Sequence, residues 1–99
     1  MIIRVDIDDT ICKSPKGEDP DYSKCRPIKK NIRKINKLYD AGNFIVYWSS
    51  RGMGTGKDWL NITIDQFDKW GVKSHAIQLN KPVYDMIVCD KAKRIEELD

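Results

Sequence analysis

The chain predicts an α/β domain, a three-layer fold with a small, mostly parallel sheet of about four strands. Three observations carry that expectation. Short apolar runs at Ile2–Val5, Phe44–Trp48 and 86–89 have the length and β-branched or aromatic content of strands. Stretches with helical spacing of apolar residues stand between the runs, and such alternation favours parallel pairing. Each of the three runs leads directly into a chemically capable polar residue: Asp6, Ser49 or Asp90. In an open parallel sheet such strand ends gather along the edge where ligands bind.

The first strand ends in Asp6, Ile7, Asp8, Asp9 and Thr10. Carboxylates crowded at a buried strand end repel one another and lose hydration, and folds tolerate this mainly where a cation or a reaction uses it. If the strand direction persists, Asp6 and Asp8 share one face while Ile7 points the other way. Residues 11–26 carry Pro15, Gly17 and Pro20 without an apolar period, which predicts a loop or small flap beside the acids. Pro27 opens a helix with an inner stripe of Ile28, Ile32, Ile35 and Leu38. The lysines and arginine on its other face read as a solvated surface, and Gly42 stops it.

Phe44–Trp48 reads as a strand covered on both faces. It runs into Ser49-Ser50-Arg51-Gly52. The following GMGTGK resembles a phosphate-binding glycine loop but departs from that pattern, with Arg51 at the first glycine position and Asp58 after Lys57. A second helix is expected over 58–70, capped by Asp58, with Leu60, Ile64, Phe67 and Trp70 inward and Gly71 at its end. A weaker strand is expected over 75–79, where His75 reads as structural or surface. Lys81-Pro82 follows in a loop, then a buried strand over 86–89 ending in Asp90. Ala92, Ile95 and Leu98 suggest a short closing helix.

The 99 residues suit one domain over 1–99, and 18 Lys+Arg against 15 Asp+Glu gives a mild +3 that permits anionic partners. No apolar stretch approaches the roughly 20 residues that span a bilayer, so no membrane partner is expected. The N-terminal run breaks at Asp6, too short for a signal peptide. Cys12, Cys25 and Cys89 are odd in number and lack CxxC spacing. They read as free thiols of a reducing compartment, which points to a cytoplasmic protein. Asp6, Asp8, Ser49, Arg51, Lys81 and Asp90 all fall just past strand ends or in adjoining loops. Together they would form a site for a phosphate and a divalent cation.

Those residues carry a resemblance to the haloacid dehalogenase (HAD) superfamily of phosphatases, with its Rossmann-like core. Asp6-Ile7-Asp8-Asp9-Thr10 resembles the first motif, a strand ending DxDx[TV]. FIVYW followed by Ser49 resembles the second, Lys81 the third, and MIVC followed by Asp90 the fourth. The stretches YWSSRGMGTG, DKWGVK, KPVYD and CDKA are similar to a subgroup of very short members found beside bacterial surface-polysaccharide genes and in phages. The Ser-Ser-Arg segment is also similar to polynucleotide 3′-phosphatase domains. Asp9 and Cys89 depart from the family, which often has Gly at the first position and, in this subgroup, a second acid at the other.

The resemblance implies a phosphomonoester hydrolase working through an aspartyl-phosphate. Asp6 would be the nucleophile and Asp8 the general acid and then base. Mg²⁺ would take the Asp6 side chain, the Asp8 main-chain carbonyl and Asp90. Ser49 and Lys81 would hold the phosphoryl oxygens, Arg51 would grip a phosphate in fork geometry or form a salt bridge, and Thr10 would fix the motif loop. Both family insertion points are too short for a cap domain, so the site is expected to be open unless a second subunit of a homo-oligomer covers it. Lys13, Lys16, Lys24, Arg26, Arg51 and Lys57 along the rim would favour a polyanionic phosphorylated substrate. A sugar phosphate, a nucleotide and a nucleic-acid terminal phosphate are the substrate classes considered. Two other readings compete: a catalytically weak or inactive HAD-fold binding module, and a receiver-type phospho-acceptor domain. The receiver has an acceptor Asp where Ser49-Ser50 stands.

Overall fold

A computed structural model describes residues 1–99. The expected α/β architecture is present. Strand β1 (Ile2–Val5) is followed by a small hairpin of β2 (Cys12–Lys13) and β3 (Arg26–Pro27), then helix α1 (Lys29–Asp40), strand β4 (Phe44–Trp48), helix α2 (Leu60–Trp70) and strand β5 (Ala76–Gln78). The main sheet is parallel in the order β1-β4-β5, with Ile2 opposite Phe44 and Val46 opposite Ala76. Each parallel step is made by one helix.

Both helices lie on one face of the sheet. Asn36 of α1 donates to the Gly71 carbonyl and accepts from the Lys73 N–H, and Lys29 reaches the Trp70 carbonyl, so α1 lies against the end of α2. The core beneath them joins Val5, Ile7, Ile45 and Tyr47 to Ile32, Ile35 and Phe67. The opposite face holds Ile2, Arg4, Phe44 and Trp48, with Arg4 spanning from the Trp48 ring to Gln78. The fold therefore has two layers, and the expectation of three is corrected: successive right-handed crossovers in one direction place both helices on the same side.

Helix α1 buries the expected Ile32 and Ile35. Helix α2 is turned relative to its expected stripe. Thr63, Gln66 and Phe67 are buried, while Leu60 and Ile64 are exposed. The expected fourth strand is absent. Residues 82–94 are exposed and form no strand, and Val88 is 90% exposed. The closing helix is reduced to a single 3₁₀ turn at Ile95–Glu97. Pro27 pairs with Cys12 in the hairpin rather than opening α1. No helix is long and apolar enough to cross a membrane.

Candidate active site

Parallel pairing of β1 with β4 puts residues 6–10 beside residues 49–51. Beyond β1 the chain turns tightly: Thr10 and Ile11 N–H groups both bond to the Ile7 carbonyl, and the Asp9 N–H bonds to the Cys12 carbonyl. Asp9 sits at φ 62°, in the left-handed region. An aspartate tolerates that conformation better than most side chains. Asn31 in the first turn of α1 anchors the loop by donating to the Thr10 carbonyl.

Asp6 accepts from the Thr10 hydroxyl at 3.1 Å and faces the Lys81 ammonium at 3.5 Å. Burial raises the Asp6 pKa above the usual carboxylate value, against the lowering pull of Lys81 and Thr10. Lys81 is delivered by an extension of the β4–β5 ladder, in which the Ser49 N–H bonds to Gln78 and the Lys81 N–H bonds to Ser49. Burial opposes the Lys81 charge, yet Tyr84 and Asp6 hold its pKa above the ordinary value. Ser49 is buried, accepts from the Arg51 N–H, and donates to Asp8 at 3.4 Å.

Arg51 is the best-enclosed charge in the molecule, 2% exposed. Its Nη2 reaches Asp8 Oδ1 at 2.9 Å and its Nε reaches Oδ2 at 3.1 Å. Its Nη1 donates to Thr63 at 2.9 Å and Gln66 at 2.7 Å. Tyr22 lies over the guanidinium at 4.8 Å. Desolvation disfavours this cation, but Asp8 more than compensates and its pKa is raised. Of the two roles expected for Arg51, the structure holds the salt bridge. Every arm of the fork is bonded inside the protein, to Asp8, Thr63 and Gln66.

Asp90 is not drawn in. It is exposed, its carboxylate lies 3.8 Å from the neighbouring Cys89 sulfur, and no bond ties it to Asp6 or Asp8. The metal triad is therefore incomplete in this arrangement because the strand that should carry Asp90 does not pair. Among the rim cations, Lys16 is bonded to Asp9 and Lys57 to Asp19.

The sequence reading missed the partners of Asp8. Ser14 donates to its Oδ1 at 2.5 Å, and the Cys12 and Cys25 sulfurs stand 3.7 and 3.8 Å from the same oxygen. The Cys12 pKa is raised, first by its contact with Cys25 and then by burial. The Cys25 pKa is lowered to about 7, first by Cys12, with Ser14 and Arg51 assisting against burial. Thr63 and Gln66 were also missed, although polar residues three apart beside Phe67 were a readable sign of a buried polar partner.

A hard cation prefers oxygen ligands and is often held by one or two carboxylates plus water. Asp6 fits that chemistry. The Asp8–Cys12–Cys25 group does not, since two of its donors are thiols and Arg51 lies among them.

No protein-family model and no curated protein matches the chain. A crystallised MCSG target from Vibrio cholerae is similar in fold, with a TM-score of 0.84 and 25% identity over 97% of this chain and 85% of that one.

Proposed function

We propose that the chain is a HAD-type, Mg²⁺-dependent phosphomonoesterase. The observation that carries this reading is the meeting of three distant segments at one sheet end: Asp6, half-buried with a raised pKa, Lys81 at 3.5 Å from it, and buried Ser49 beside Asp8. A carboxylate flanked by an ammonium and a hydroxyl can attack phosphorus while the incoming oxygens are held. Asp6 forms and then releases the acyl-phosphate. Lys81 and Ser49 hold the phosphoryl oxygens. Asp8 donates a proton to the leaving oxygen and then takes one from water, which requires it to turn from Arg51. Mg²⁺, when bound at Asp6, supplies charge neutralisation for the transferring group.

The finer fold belongs to the same proposal. When metal and substrate bind, residues 86–89 would leave their exposed position, pair with the free edge of β1 as a fourth strand and bring Asp90 beside Asp6. The substrate is a sugar phosphate, a nucleotide or a nucleic-acid terminal phosphate, the HAD-type domain occupies 1–99, and the setting is cytoplasmic.

The test is p-nitrophenyl phosphate hydrolysis with and without Mg²⁺. Turnover should need the metal, and Asp6→Asn should lower it by roughly three orders of magnitude or more, as loss of a nucleophile does. Residual activity within about tenfold of the parent would sink the covalent mechanism, because such a loss is worth only about 1.4 kcal/mol of barrier.

One observation favours a second reading, a binding module. Both Asp8 oxygens are already taken by Arg51, Ser14 and Ser49. Absence of turnover with any divalent cation, together with retained binding of a phosphate mimic, would select it.

A further inference from the structure

We propose that Cys12 and Cys25 are a peroxide-sensitive dithiol that closes to a disulfide and thereby disturbs the Asp8–Arg51 pair. Lys13 pairs with Arg26 in the β2–β3 hairpin, which makes Cys12 and Cys25 diagonal neighbours on one face at its base. Their sulfurs and an Asp8 carboxylate oxygen all lie within 4.8 Å of one another. Both sulfurs also touch the Ser14 hydroxyl, at 3.5 and 3.3 Å, and Arg51 Nη2, at 3.8 and 3.4 Å. Buried cysteines that serve only as packing behave as small hydrophobes. These two instead turn toward the polar atoms that fix Asp8. A thiophilic metal is a poorer occupant of the cluster, because the guanidinium already stands 2.9 Å from Asp8 inside it.

The chemistry balances with a peroxide as the oxidant. Cys25, the less enclosed residue of the two at 9% exposed against 0% for Cys12, is assigned the first reaction with peroxide. Its sulfur attacks the peroxide oxygen, the O–O bond breaks, and sulfenic acid and water form. The Cys12 sulfur then attacks the Cys25 sulfur, the S–OH bond breaks, and disulfide and a second water leave. The two thiols lose two electrons and the peroxide gains them. A disulfide holds its sulfurs at about 2.05 Å, so closing it draws the two sulfurs together and changes their present contacts with Asp8 and Arg51. The effect on activity rests on the phosphatase reading; formation of the bond does not.

The test uses the full chain carrying Cys89→Ser, which removes the exposed third thiol. Hydrogen peroxide applied to the folded protein should take the free thiols from two to none, with a dithiothreitol-reversible link between the peptides holding residues 12 and 25. With Cys12→Ser added, oxidation should stop at a Cys25 sulfenic acid trapped by dimedone. Two thiols surviving doses that oxidise Cys89 in the parent would overturn the proposal. So would a Cys25 sulfinic acid beside a free Cys12. p-Nitrophenyl phosphate turnover should fall roughly tenfold or more on oxidation, as misplacing a catalytic group does, and return on reduction. If the link forms and turnover is unchanged, the coupling to Asp8 is wrong. If the link forms in a protein with no turnover even when reduced, the phosphatase reading fails and the dithiol stands.

Discussion

Asp6 and Asp8 are two residues apart and meet opposite environments. Burial raises the Asp6 pKa, with Lys81 and Thr10 pulling it back only in part. Turnover that needs the carboxylate form therefore declines as pH falls through that raised value. The folded state behaves the other way. Between the ordinary and the raised value it binds more protons than the unfolded chain, so stability from this group grows as pH falls. Asp6→Asn should flatten that stability trend as well as abolish turnover. Asp8 also has a structural part as the anionic partner of Arg51, which is enclosed by Asp8, Thr63, Gln66 and the Tyr22 ring. Removing one partner of a buried pair leaves an uncompensated charge, at a cost of about 3 kcal/mol or more. Asp8→Ala should lose that much in urea denaturation, and Asp8→Ala with Arg51→Met should recover most of it. A loss below about 1 kcal/mol would place the pair among surface bridges.

At the scale of elements, the loop after β4 is built on Gly52. Its φ is +84°, and an added Cβ would collide with the Lys57 carbonyl. Backbone cannot yield as a flexible side chain can, so Gly52→Ala should cost about 2 kcal/mol or more and lower the Tm. Gly54 has open space around it and no positive φ, so Gly54→Ala should leave the Tm unchanged or slightly raised. Equal effects at the two positions would show that the loop is not held by Gly52. These turns also mark where the sequence could be read and where it could not. The α1 stripe was legible because Ile32 and Ile35 meet an apolar sheet. The α2 stripe was not, since a buried guanidinium recruits Thr63 and Gln66 inward and rotates Leu60 and Ile64 out, which an apolar period cannot register. The hairpin escaped notice because two-residue strands leave no alternation to detect. Asp6, Asp8, Ser49 and Lys81 were legible as strand-end polar groups. The thiols around Asp8 were not, because a turn-rich stretch of twelve residues separates Cys12 from Cys25.

At the scale of the molecule, the sheet has one face covered by helices and two open edges, at β1 and β5. β1 pairs on one side with β4, and its other side has no strand. Residues 86–89 have strand composition, yet Met86 is 79% and Val88 90% exposed. Burying a side chain of this size is worth about 1.5–3 kcal/mol, and an unpaired edge offers the hydrogen bonds to go with it. Residues 82–85, fully extended, reach roughly 13 Å, the length of a four-residue strand such as β1. The segment would also have to cross from β5 past β4 to the far side of β1 before running parallel to it, with Asp90 following Cys89 as Asp6 follows Val5. Docking costs the ordering of a free segment and brings two acids together, so a cation between them is what should tip the balance. Amide exchange is therefore expected to be fast over 86–90 without metal and to slow by about tenfold or more when Mg²⁺ and beryllofluoride are added, corresponding to at least 1.4 kcal/mol of protection. Asp90→Asn should abolish the gain while leaving exchange in β4 untouched. Fast exchange over 86–90 under both conditions would refute the fourth strand, and Asp6 would then have to hold any cation without Asp90.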